Sequence, residues 1–223
     1  WLGDCVMATP AIENIVNFDN DTQITLIGSF VSIEALKNHP EVVKTVVLSK
    51  KYRDLVKISK ELGDFDIFFS FRSSIRSKFL KFFISAENKY QFDKNTYQNR
   101  HQVEKYNDFV NDSLSINLTA KKLQIYGYST SKNKKKILGI NPGASYGSAK
   151  RWYPEEFAKV AGELSSQYDI VIFGGPGEKD IAMDIEKSLL EKGIDNYQNL
   201  AANTTIPELI DHISKLDLFI TGD

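Results

Sequence analysis

The hydrophobic positions of this chain fall into short apolar runs separated by stretches with helical spacing. Residues 24–27 (ITLI), 43–48, 66–70 (DIFFS), 137–140 (ILGI), 169–173 (DIVIF), 197–200 and 217–221 read as strands. Helices are expected between them. Residues 31–37 form one, and Leu55, Ile58 and Leu62 mark the inner face of the next. Residues 72–85 place Ile75, Phe79, Phe82 and Phe83 on one face, and residues 101–114 turn Val103, Tyr106, Phe109 and Val110 inward. In the second half, a helix from Pro154 buries Phe157, Val160, Ala161 and Leu164, another from Glu178 carries Ile181, Ile185 and Leu189, and a third lies around 207–216. This alternation predicts an α/β protein with mainly parallel, doubly wound sheets.

Other stretches break the rhythm. Near the start, Thr9 reads as an N-cap and Pro10 as a first-turn residue, with a start nearer Gly3 as the alternative. Residues 87–99 are polar and aromatic without a clear period, a strand followed by a loop. Residues 126–136 (YGYSTSKNKKK) are basic and aperiodic, and they suggest a boundary between domains at 1–131 and 132–223. The chain opens inside a loop-to-helix signal and stops just after the apolar residues 218–220. A fold of this type is expected to need a further strand before Trp1 and more helix after Asp223.

Composition narrows the class. A chain of 223 residues with 42% hydrophobic and 26% charged residues suits a soluble globular protein of one large or two modest domains. Its net charge of −1 gives no reason to expect a nucleic-acid partner. No apolar run approaches the ~20 residues of a membrane span. Cys5 is the only cysteine, so neither an internal disulfide nor a Cys-based zinc site is expected, and the cytoplasm is the simplest compartment. No His pair stands at ligand spacing.

The candidate chemistry centres on residues 137–157, ILGINPGASYGSAKRWYPEEF. A strand runs into a loop of small residues that includes Gly143, Ser145 and Gly147. Lys150 and Arg151 close the loop, and a helix opens with Pro154 and two glutamates. Backbone N–H groups, a cation and a helix N-terminus together suit an anion such as a diphosphate, though an ordinary strand-to-helix connection has the same parts. Asp4 follows Gly3 where ligands bind in open α/β sheets, or else it caps a turn. The cations Arg72, Arg76, Lys78 and Lys81 share the helix 72–85 with its phenylalanines. They form either a solvated face or a surface for an anionic amphiphile or membrane head groups. His101 is expected near a ligand cleft.

Four stretches stand in order: WLGDCVMATPAI, PGASYGSAKRW, FGGPGEKD and LFITGD. Together they resemble the ADP-heptose:lipopolysaccharide heptosyltransferases of glycosyltransferase family 9, across essentially the whole chain, most closely those that add the second heptose. The resemblance implies a GT-B architecture, two Rossmann-like domains with parallel sheets facing a central cleft that closes over its substrates. It implies inverting transfer of L-glycero-D-manno-heptose from ADP-heptose to the first heptose of the inner core. No metal or other cofactor is expected.

The same resemblance implies particular roles. Asp4 matches the general base. Gly143, Ser145 and Lys150 match the diphosphate cradle, Glu178 the acid on the ribose hydroxyls, Thr204 a position by the adenine, and Asp223 the start of a segment near sugar and phosphates. Arg72, Arg76 and His101 are expected on the acceptor side. A monomer, touching the inner face of the cytoplasmic membrane peripherally, is expected. A sugar-nucleotide epimerase, a family member with another donor, a silent nucleotide-sugar binder and a purely structural domain are the alternatives.

Overall fold

The computed structural model describes residues 2–19, 21–129, 135–144 and 150–222. The chain divides into two compact units, Trp1–Gly127 and Tyr128–Asp223.

The first unit opens with two helices end to end, α1 (Leu2–Met7) and α2 (Thr9–Phe18). Thr9 is not the N-cap. Ala8 holds that position, and its N–H already donates to the Asp4 carbonyl at 3.0 Å. The orphan donors of a free N-terminus thus find partners in the preceding helix. The Thr9 hydroxyl instead donates to the Val6 carbonyl at 2.8 Å and accepts from the Gln124 amide at 3.1 Å.

Strand β1 (Ile24–Gly28) then pairs in parallel with β2 (Val42–Val47), with α3 (Phe30–Leu36) as the crossover. Helix α4 (Tyr52–Glu61) leads to β3 (Asp64–Ser70), which pairs in parallel with β4 (Ser85–Gln91) around α5 (Ile75–Phe83). Residue 85, expected as the end of a helix, starts a strand. The sequence of β4, SAENKYQ, is mostly polar, so the strand expected within 87–99 starts two residues earlier than its pattern shows. Helix α6 (Gln102–Leu114) completes the set and ends at Ser115, which turns left-handed at φ 56°.

Alternation along β3 sorts the first unit's core onto two faces. Phe68 packs with Leu55, Leu80 and Ile84 under α4 and α5. Phe69 and Phe71 face the other way and join Ala8, Ala11, Phe92, Tyr106, Phe109 and Val110. Their rings meet mainly edge to face, as at Phe71–Tyr106, 5.4 Å apart at 88°.

The second unit is a four-stranded parallel sheet in the order β7-β6-β5-β8, comprising β5 (Lys136–Asn141), β6 (Tyr168–Ile172), β7 (Tyr197–Asn199) and β8 (Leu218–Thr221). Helices α7 (Pro154–Leu164) and α8 (Lys179–Glu191) bury Phe157, Ala158, Ala161, Ala182, Ile185 and Leu189 against Leu138, Ile140, Ile170 and Ile172. On the opposite face Val171, Phe173 and Leu200 pack with Leu209 of α9 (Ile206–Ser214) and with Leu216. Fully burying side chains of this size contributes roughly 1.5–3 kcal/mol each. Both faces are covered, as the near-continuous apolar strands predict.

The sheet reverses direction at β5: the chain winds through β6 and β7 on one side and returns with β8 on the other. In open α/β sheets the crevice for a ligand lies outside the carboxyl ends of the strands at such a switch point.

Candidate active site

At the carboxyl edge of the second sheet, β5 delivers Gly143 and β6 delivers Gly174 and Gly175. A single 3-10 turn, Pro176–Glu178, follows and leads into α8. Glu178 folds back over all three glycines. A methyl group on Gly143 would stand 2.3 Å from its Cγ, one on Gly174 2.9 Å from its Cβ, and one on Gly175 2.9 Å from its Oε2. These glycines are therefore required for close approach rather than for φ. Gly143 and Glu178, singled out separately in sequence, form one contact with a carboxylate at the strand ends.

Across the switch point, Gly222 follows the end of β8 beside the turn that carries Lys150. A methyl there would meet the Lys150 carbonyl oxygen at 3.0 Å and the Trp152 nitrogen at 3.6 Å. Arg151 donates from Nη2 to the Ala144 carbonyl at 3.2 Å, and Trp152 packs edge-on against Phe157 at 5.1 Å. Helix α7 then starts with Pro154 at its head and Glu155 and Glu156 in its first turn. Lys150 is an exposed residue of this turn. Ser145 and Asp223 lie outside the described residues.

Thr204 is half-buried in the loop before α9. Its neighbour Thr205 caps that helix, its hydroxyl accepting from the Glu208 amide while the Glu208 carboxylate accepts from the Thr205 amide. The amide of Ala202 donates to the Gly174 carbonyl at 2.8 Å, and Ala202 is held at φ 62°, a conformation alanine rarely adopts. Backbone strain of this kind gathers at ligand sites.

The first unit contributes a second cluster. Asp4 sits half-buried in the first turn of α1. Arg72 extends from the end of β3. Its carbonyl accepts from the hydroxyls of Ser70 and Ser77, at 3.2 and 2.8 Å, and from the Gln91 amide. Three donors on one carbonyl fix the backbone from which the guanidinium projects.

Both side chains act on Tyr106, which is 5% exposed in α6. Burial, and then the Asp4 carboxylate, push its hydroxyl up to about 12; Gln102, hydrogen-bonded to it, and the Arg72 guanidinium pull the other way. Asp4, Arg72, Gln102 and Tyr106 therefore form one neighbourhood. Sequence reasoning counted Tyr106 only as an inward-facing core residue and passed over Gln102. The signal available was a tyrosine hydroxyl on an otherwise apolar face, since buried hydroxyls find partners.

Two acceptor-side candidates hold structure together. Arg76 donates through Nη1 to the Lys50 carbonyl at 2.6 Å and through Nη2 to that of Ser49, with its guanidinium 5.5 Å from the Tyr52 ring centroid. It ties α5 to the loop before α4. His101 is the N-cap of α6: its Nδ1 accepts from the Val103 amide at 3.4 Å, and the Glu104 carboxylate accepts from its own amide at 3.3 Å. The residue that follows it is Gln102, so this cap sets the helix turn that reaches Tyr106.

Among the described residues, no three His, Cys, Asp or Glu side chains are grouped to hold a metal ion. The Asp64-Phe65-Asp66 triplet stands at the start of β3, the opposite end from Arg72.

The second unit carries a parallel sheet with an anion-suited edge, the first carries a carboxylate and an arginine, and both are of the α/β class. Glycosyltransferase family 9 (heptosyltransferase) matches residues 56–223, and the chain belongs to that family. It is 43% identical to the lipooligosaccharide heptosyltransferase 2 of Campylobacter jejuni, over all of this chain and 72% of that protein. Among solved structures, a family 9 glycosyl transferase from Veillonella parvula covers 99% of the chain and is covered to 72%, with TM-score 0.84 and 19% identity. The ADP-heptose lipopolysaccharide heptosyltransferase II of Escherichia coli covers 99% and is covered to 76%, with TM-score 0.81 and 18% identity. At those identities the likeness shows the fold, that of the GT-B glycosyltransferases. The expected class, α/β with Rossmann-like parallel sheets, is thus borne out, and the chain is a glycosyltransferase.

Proposed function

We propose that this glycosyltransferase moves L-glycero-D-manno-heptose from ADP-heptose to the first heptose of the lipopolysaccharide inner core, with inversion at the anomeric carbon. The observation that supports the donor half is the carboxyl edge of the second sheet, where Glu178 closes over Gly143 and Gly222 approaches the Lys150 carbonyl. The name of the 43% identical relative supports the sugar and the acceptor class.

The chemistry is a single displacement. The acceptor hydroxyl oxygen bonds to the anomeric carbon as the bond from that carbon to the diphosphate oxygen breaks. The electron pair of the broken bond leaves with ADP, and the hydroxyl proton passes to the Asp4 carboxylate. A carboxylate is a weak base for an alcohol, so the proton moves late, once the attacking oxygen has become acidic. Lys150 and the backbone N–H groups that follow β5 offset the charge growing on the diphosphate, so the leaving group needs neither a proton nor a metal. Glu178 accepts hydrogen bonds from the ribose hydroxyls, Thr204 lies toward the adenine, and Ser145 and Asp223 complete the donor contacts.

Arg72 receives a phosphate or carboxylate of the acceptor, beside the base that activates it, with Arg76 and His101 fixing the loops on that side. The enzyme acts in the cytoplasm as a monomer, at the inner face of the membrane that holds its lipid-anchored acceptor. Steady-state kinetics with Asp4→Asn test the assignment. Turnover should fall by roughly 10²-fold or more with ADP affinity kept. Unchanged turnover would remove Asp4 as the base.

A further inference from the structure

Helix α5 carries an unusual combination of residues. Ile75 is 81% and Phe82 77% exposed, although both are large and apolar. The same nine-residue helix holds Arg76, Lys78 and Lys81 and no acid. Leu80 faces the core, so the opposite side is the open one. At 3.6 residues per turn, Ile75, Lys78 and Phe82 share that open side, with Lys81 along one border and Phe79 and Phe83 along the other.

The apolar surface extends beyond the helix. Phe82 meets Phe83 at 5.1 Å, Phe83 meets Phe79 at 4.8 Å, and Phe79 meets Tyr52 of α4 at 5.1 Å. Tyr52, Phe82 and Phe83 are all exposed, so this aromatic row continues across the surface. Lys50, Lys51 and Arg53 flank Tyr52 in sequence, and the nearest acid, Asp54, accepts a hydrogen bond from Ser49 at 2.5 Å.

We propose that α5 and Tyr52 dock on an anionic phospholipid bilayer, with Ile75, Phe82 and Phe83 entering the head-group boundary and Lys78 and Lys81 meeting lipid phosphates. The proposal rests on the reading that the acceptor is anchored in such a bilayer. Aromatic and branched apolar side chains bordered by lysines are the composition of an interfacial helix. Charge selects this occupant over a second copy of the chain. A self-complementary contact through α5 would bring lysines against lysines with no acid on the helix to receive them. Docking here sets Arg72, just before α5, at the level of the lipid head groups where an anchored acceptor presents its charges.

The test is co-sedimentation of the full-length enzyme with vesicles of phosphatidylcholine alone or with about one third phosphatidylglycerol, with transfer to a deacylated, water-soluble acceptor measured in parallel. The wild type should bind the anionic vesicles, less so at high salt, and bind the neutral ones weakly. Ile75→Ser with Phe82→Ser should lower vesicle binding by roughly ten-fold or more, and Lys78→Glu with Lys81→Glu should abolish the preference for anionic lipid. Both variants should transfer heptose to the soluble acceptor at the wild-type rate. Equal binding by the serine variant, equal binding to neutral vesicles, or a dimer that the same substitutions dissolve would each overturn the proposal. Loss of transfer to the soluble acceptor by the wild type would instead overturn the reading of the reaction while leaving the vesicle result intact.

Discussion

Replacing Gly143 with alanine probes the donor edge more sharply than deleting a charge. The new methyl would lie 2.3 Å from Cγ and 2.9 Å from Cδ of Glu178. Carbon atoms at rest sit about 3.5–4.0 Å apart, so the side chain must move by more than an ångström. Cγ is near the root of the chain, so the shift needs a new rotamer. Gly174 and Gly175 crowd Glu178 from the other side, which leaves rotation away from the strand ends. A carboxylate that holds ribose hydroxyls there would lose hydrogen bonds worth about 1.5–3 kcal/mol. Isothermal titration with ADP should then show affinity weakened by roughly 10- to 150-fold.

The Glu178→Ala background decides the cause. With no side chain to displace, Gly143→Ala should add little, and the two costs should be strongly non-additive. A Gly143→Ala variant that binds ADP within about two-fold of wild type would refute the reasoning. So would a Gly143→Ala cost that persists undiminished without Glu178, because the methyl would then meet the nucleotide itself.

Other predictions concern separate parts of the account. Lys150→Ala should weaken ADP binding measured by calorimetry, and unchanged affinity would take Lys150 out of the diphosphate site. Ala202→Gly should raise stability by up to about 1 kcal/mol in chemical denaturation, because glycine adopts the left-handed backbone that alanine resists. Tyr106 has a hydroxyl raised to about 12 from an ordinary 10.0, so it favours the folded state fully below pH 10. That contribution is lost as pH rises from 10 toward about 12, and Tyr106→Phe should flatten the stability curve across this window.

Much of the architecture was legible because the central strands of the second sheet, β5 and β6, are apolar on both faces. DIVIF and ILGI could only be buried strands, and the helices between them carry clear inner faces. The exceptions arose where neighbouring or paired elements decided the local outcome. Thr9 lost its capping role because α1 runs straight into α2. Strand β4 was expected within 87–99 but begins at Ser85, because its polar residues mark no edge and its place is set by pairing with β3. His101 serves as a cap although histidine is an uncommon one, and the Glu three residues later was the available sign.

The site was legible in outline and not in its contacts. Glycine-rich turns marked both strand ends, but nothing in the order of residues says that Glu178 closes over Gly143. Arg76 looked like a ligand for an anion because a charge pattern does not reveal carbonyls such as those of Ser49 and Lys50. Tyr106 looked like core because its ring is core; only its hydroxyl feels the charges of Asp4 and Arg72.

The most direct test combines full-length enzyme, ADP-heptose and a mono-heptosylated acceptor, followed by mass spectrometry of the product. The account predicts an acceptor heavier by one heptosyl unit, ADP released in equal amount, and a rate cut by roughly 10²-fold or more in Asp4→Asn. An unmodified acceptor, or an Asp4→Asn variant that transfers at the wild-type rate, would contradict it.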